Sequence, residues 1–157
     1  MDRYQSLTEI IRFLKKRLRN VEIYSLDCSE EREYLLKDYS CKGKLDLIII
    51  YEVKRKGKKI KHCIIAELKL HLTSGHREMS KFCGKISEKF SNVKNLRSIL
   101  ECNYLIKIVV LPSEKGYKKN FSLYLSKESI KVYDCRSLLE FSNRIRKLLR
   151  YKDLCED

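Results

Sequence analysis

The 157-residue sequence predicts one α/β (α+β) domain, a central mixed β-sheet flanked by helices. Three observations carry this. Apolar residues recur at helical spacing near both ends and in the middle of the chain, and β-rich runs lie between them. No repeat, low-complexity tract or linker divides the chain, and a single domain of this length can bury a real core.

Leu7, Ile10, Ile11, Leu14 and Leu18 follow the i, i+3, i+4, i+7 rule and predict a helix over residues 4–19. Val21 to Leu26 alternates as a strand does. SEEREYLLKDY reads as a short helix or an ordered loop, with Ser29 placed as a helix start. LDLIIIYEV and IKHCIIAELKL are β-rich runs joined by KRKGKK, a hairpin. A long helix is expected from about Ser74 to Leu100, its apolar stripe formed by Met79, Phe82, Cys83, Ile86, Phe90 and Val93. Its outer face carries Glu78, Lys81, Lys85 and Glu88 at ion-pair spacing. LIKIVVLP is a buried strand stopped by Pro112. FSLYLS and SIKVYD are read as two shorter strands. Asp134 or Ser137 then caps a last helix with Leu138, Leu139, Ile145, Leu148 and Leu149. The core spans roughly residues 4–112, and the C-terminal strands and a basic helix occupy 121–152.

The balance of 35 Lys+Arg against 21 Asp+Glu, a net charge of +14, favours an anionic partner, nucleic acid or an acidic surface. There is no apolar leader and no run of membrane-spanning length, so a soluble cytoplasmic protein is expected. One Ala, one Pro and abundant Lys, Ile, Leu and Tyr hint at an AT-rich genome, such as a virus growing in a host cell. The seven cysteines (28, 41, 63, 83, 102, 135 and 155) include no Cys-x-x-Cys pair and are odd in number. They are expected to be reduced, structural thiols.

The run IIAELKLH, residues 64–71, places Glu67 and Lys69 inside an apolar strand. Removing an unpaired charge from water is costly, so such residues are paired, exposed or used. With a two-residue loop at Lys56-Gly57, Arg55 faces Lys58, and continuing the pairing sets Asp46 against Glu67. Lys69 points the same way as Glu67, about 7 Å along the strand. Two carboxylates and an amine then gather at one place. Hard oxygen donors suit Mg²⁺ or Mn²⁺, which use one or two carboxylates with water and a phosphate, and a lysine beside them suits phosphodiester hydrolysis. Glu-x-Lys also arises by chance, and Glu52-Val53-Lys54 is a second copy. The same register puts Glu52 opposite Lys61, an ordinary cross-strand pair near the hairpin tip.

A helix, then GKLDLIII, a hairpin, IIAELKLH and a following helix resemble the core of the PD-(D/E)XK nucleases. The resemblance implies that Asp46 and Glu67 bind a divalent metal with the Leu68 carbonyl, and that Lys69 is the catalytic lysine. Leu45 stands where the family often has proline. Some members add a glutamate from the first helix, for which Glu9 is the candidate, or a residue from the helix after the motif, where Lys81, Lys85 and Glu88 are candidates. His71 falls on the Glu67/Lys69 face and could assist.

Positive charge concentrates in three clusters: Lys15, Lys16, Arg17 and Arg19; the tip, Lys54, Arg55, Lys56, Lys58, Lys59 and Lys61; and Arg144, Arg146, Lys147, Arg150 and Lys152. Together they could contact phosphates with little regard to base sequence. The expected partner is DNA, double-stranded, with no membrane contact and room for a homodimer. Three readings stand: a metal-dependent deoxyribonuclease; a nucleic-acid-binding protein without catalysis; and a nucleotidyl-transferring enzyme, whose usual Gly-Ser and Asp-x-Asp pattern is not found.

Overall fold

The computed structural model describes residues 7–25, 45–68, 76–91, 96–112 and 117–154. In chain order these form α1 (Leu7–Arg17), β1 (Val21–Ser25), β2 (Leu47–Arg55), β3 (Lys58–Leu68), α2 (His76–Ser91), α3 (Leu96–Ile99), β4 (Tyr104–Pro112), α4 (Tyr117–Leu125), β5 (Ile130–Cys135) and α5 (Leu138–Leu154). The SEEREYLLKDY segment lies outside the described residues.

The five strands form one mixed sheet in the order β1-β2-β3-β4-β5. β1, β2 and β3 are antiparallel neighbours, and β3, β4 and β5 run parallel. The β2–β3 turn is Lys56-Gly57, with both residues at positive φ (46° and 78°), as a two-residue turn of the primed type demands. It sets the expected register from Arg55↔Lys58 through Glu52↔Lys61 to Leu47↔Ala66.

Strand alternation divides the core into two layers. On one face Ile48, Ile50, Cys63, Ile65, Val109 and Leu111 pack with Cys83, Ile86 and Phe90 of α2 and Phe121 and Leu125 of α4. On the other, Leu47, Ile49, Ile64, Ala66, Ile108 and Val110 pack with Ile10 and Leu14 of α1 and Phe141, Ile145 and Leu149 of α5. β3 is apolar on both faces because helices cover both.

Three expectations change. FSLYLS is helical, not a strand: residues 121–125 end α4 and Ser126 begins a 3-10 turn. β4 and β5 are parallel, so the chain must travel back along the sheet between them, which a helix accomplishes. Phe121 and Leu125, one turn apart, supply its buried side, while Leu123 and Tyr124 stay exposed. The long helix expected over 74–100 is described as two, α2 and the short α3. Cys63 and Cys102 form a disulfide. The parallel β3–β4 pairing sets Cys63 beside Leu105, which brings residues 39 apart in sequence within bonding reach. Cys83 and Cys135 are buried thiols as expected.

Ser137 caps α5. Its hydroxyl accepts the Glu140 N–H (3.1 Å), and the Glu140 carboxylate accepts the Arg136 N–H (2.9 Å), a reciprocal arrangement that occupies donors the helix start would leave bare. No described helix is long and apolar enough to cross a membrane.

Candidate functional site

Among the described residues Glu67 is the one buried carboxylate, with 2% of its surface exposed. It stands on β3 in step with Cys63 and Ile65, so it faces the α2 layer. Its pairing with Val109 places it toward the C-terminal ends of the parallel strands, the edge where α/β sheets present ligand sites. Its Oε1 accepts a 2.9 Å charge-assisted hydrogen bond from Lys89 Nζ of α2.

The β2–β3 ladder stops one residue before Asp46. There the backbone bends. The Asp46 N–H donates to the carbonyl of Ala66 (3.2 Å), a residue that already faces Leu47. The Asp46 side chain then takes over the role of a backbone carbonyl. Its Oδ2 accepts the Leu68 N–H at 2.6 Å. The Asp46 carboxylate is thereby held against the backbone of the residue that follows Glu67, at the end of the central strand.

Two hard carboxylates and the neighbouring Leu68 carbonyl are a donor set that fits a small divalent cation completed by water and phosphate. Among the described residues no three His, Cys, Asp or Glu side chains gather at one point.

Lys69 and His71 lie outside the described residues. Glu9 is exposed on α1, whose buried residues pack on the opposite face of the sheet from Glu67, so it takes no part in this group. Lys81, Lys85 and Glu88 are all exposed on α2, and it is Lys89 that reaches Glu67. At 100° per residue Lys89 lies about 80° from the centre of the apolar stripe, against roughly 120° for Lys85 and 160° for Lys81. A lysine on the flank of the stripe can lay its stem along the core and turn its ammonium inward. That position was the available signal.

The second Glu-x-Lys copy is elsewhere. Glu52 is in register with Lys61 as expected. The Lys61 ammonium, however, donates to the Leu100 carbonyl (3.0 Å), and its backbone exchanges hydrogen bonds with Asn103. Lys61 thus ties β3 to the start of β4 instead of neutralising Glu52.

Of the basic clusters, Lys15, Lys16, Arg17, Lys56, Lys58, Lys59 and Lys147 are exposed. The side chains of Arg55 and Arg150 lie outside the described residues. Arg144 is turned inward, with its guanidinium 5.4 Å from the centre of the Tyr133 ring. That cation–π contact joins α5 to β5. Comparison with protein-family models, with curated proteins and with solved structures finds no match.

Proposed function

We propose that this chain is a divalent-metal-dependent nuclease that hydrolyses DNA phosphodiester bonds with little sequence preference. The observation that carries the reading is the Asp46 carboxylate held on the Leu68 N–H, next in sequence to the buried Glu67 at the end of β3. The order helix, three antiparallel strands, helix, parallel strand is also the order of elements on which the resemblance to PD-(D/E)XK nucleases rests.

In this reading Asp46, Glu67 and the Leu68 carbonyl hold Mg²⁺ or Mn²⁺, which supplies positive charge at the scissile phosphate. The chain's own groups do the positioning. The Leu68 N–H fixes one oxygen of Asp46. Lys89 holds the Glu67 carboxylate in a single orientation and adds a positive charge to the group. Lys69 remains the lysine that the motif assigns to the attacking side. The surplus of 14 positive charges supplies attraction for the polyanion.

One observation favours the reading without catalysis. Lys89 already neutralises Glu67, as a purely structural ion pair would. Cleavage of a labelled duplex with Mg²⁺ or Mn²⁺, and with EDTA, decides between them. Glu67→Ala and Asp46→Ala abolish cleavage in the nuclease reading, and Glu52→Ala leaves it nearly unchanged. Cleavage that survives in EDTA, or equal activity of the Glu67 and Glu52 variants, removes that reading.

A further inference from the structure

Two of the basic clusters, far apart in sequence, meet in space. The C-terminal end of α1 and the body of α5 are joined by a hydrogen bond from the Arg146 guanidinium to the carbonyl of Arg17 (2.8 Å). Beside that junction lies a cleft of about 530 Å³, within the size range of ligand pockets. Among the described residues four cations line it, Lys16, Arg17, Arg19 and Arg146, and no acidic one does. The rest of the described lining is an apolar floor: Leu18 and Leu149 are buried core residues, Val21 is half-buried, and Tyr51 is stacked on His62 (6.0 Å), which is in turn stacked on Tyr104 (5.0 Å).

Four like charges around one concavity repel, and the arrangement is relieved by an anion in their midst. Three of the four are arginines, whose planar forks bind phosphate oxygens in pairs. The stacked rings and the Arg146–Arg17 bond make the floor and one wall rigid, so little ordering cost remains on binding. A membrane surface fits poorly. Interfacial binding needs exposed aromatic or aliphatic anchors beside the cations, whereas the cleft's Leu18 and Leu149 are buried and its Val21 and Tyr51 are half-buried.

We infer that this cleft is a binding site for the phosphodiester backbone of a nucleic acid, separate from the Asp46/Glu67 group. Leu18 and Leu149 belong to the core layer on the α1/α5 face, and Glu67 faces the α2 layer. Tyr51 pairs with His62, five residues from Glu67 along β3, which is roughly 16 Å of strand. The same phosphates cannot occupy both places. The cleft therefore holds one stretch of nucleic acid while the carboxylates address another, and affinity resides largely in the cleft. This deepens the nuclease reading by naming where its substrate is gripped, yet it stands if that reading fails.

The test is fluorescence anisotropy of the full chain with a labelled single-stranded oligonucleotide and a labelled duplex, in EDTA, across a salt series. The variants are Lys16→Glu/Arg19→Glu, both exposed cleft positions, and Lys127→Glu/Lys131→Glu, exposed positions elsewhere with the same change in net charge. The cleft pair is expected to weaken binding about tenfold or more at moderate salt and to flatten the salt dependence by one to two contacts. The control pair is expected to change it by less than threefold, and Glu67→Ala to leave it intact. Equal losses in the two charge-reversed pairs overturn the site in favour of diffuse attraction. Anionic lipid vesicles that bind tightly while the oligonucleotides do not, with the cleft pair abolishing vesicle binding, overturn the nucleic-acid assignment. Absence of cleavage by the parent chain with Mg²⁺ or Mn²⁺, with cleft binding retained, removes the nuclease reading alone.

Discussion

Lys89 Nζ lies 2.9 Å from Glu67 Oε1 and brings α2 onto the end of the central strand. The carboxylate is 2% exposed and the lysine side chain 23%, so the pair is buried at one end and wet at the other. Removing the lysine deprives a buried carboxylate of its ammonium, whereas neutralising both partners removes the buried charge as well. Lys89→Met is expected to destabilise the protein by about 2–3 kcal/mol, less than a fully buried pair would lose. Lys89→Met/Glu67→Gln should recover most of that. Urea denaturation of the two single variants and the double variant measures the coupling.

The same pair gives a metal-dependent expectation. With Lys89→Met, Glu67 loses that ammonium, and in the nuclease reading a divalent cation no longer competes with it. Mg²⁺ should then raise the melting temperature of Lys89→Met more than that of the parent chain, because a ligand that binds only the folded form stabilises it. An identical shift in both proteins would argue that no cation reaches Glu67.

Asp46 has a structural duty besides any chemical one, since its Oδ2 accepts the Leu68 N–H. Asp46→Asn keeps an acceptor there and should unfold near the parent midpoint. Asp46→Ala should lose about 1–2 kcal/mol, the cost of an unmet backbone donor in a half-buried place. In the nuclease reading both lose cleavage. Activity and stability thus separate in the asparagine variant.

The Cys63–Cys102 bond closes a 39-residue separation across β3, α2 and α3. Non-reducing peptide mapping should recover it, and reduction should lower stability by about 2–4 kcal/mol. Cys63→Ser/Cys102→Ser should be insensitive to reductant at this step.

Burial pushes the Cys83 and Cys135 thiols up from 9.0 to about 11, with Glu140 adding to the effect at Cys135 and Arg144 opposing it. The unfolded chain gives up these protons near pH 9 and the folded chain keeps them to about 11. Their contribution to stability is therefore whole below pH 9 and declines as pH rises toward 11. Relative to Cys83→Ala/Cys135→Ala, the parent chain should lose about 1–3 kcal/mol between pH 8 and pH 10.5. Below pH 8 the stability difference between the two should not vary with pH.

The local chain determined a good deal by itself. The Lys56-Gly57 turn needs two residues at positive φ, and period-two alternation admits only one facing of the flanking strands. The register of β2 and β3 therefore followed from the turn, as did the placing of Asp46 and Glu67 at one end and Glu52 near the tip. α1, β1, β4, β5 and α5 were legible from periodicity, and capping chemistry narrowed the start of α5 to Asp134 or Ser137. What tertiary structure decided were the choices that local pattern leaves degenerate. Alternation in FSLYLS fits a strand as well as a helix buried through Phe121 and Leu125, and the parallel β4–β5 pairing selects the helix. α2 offers lysines at 81, 85 and 89; the flank of the apolar stripe marks Lys89, and the packing of α2 on the sheet brings it to Glu67. Cys63 meets Cys102, and Arg17 meets Arg146, only because packing brings together residues 39 and 129 positions apart. Sequence periodicity determines which face each residue presents, but which two faces meet depends on the packing of the whole chain.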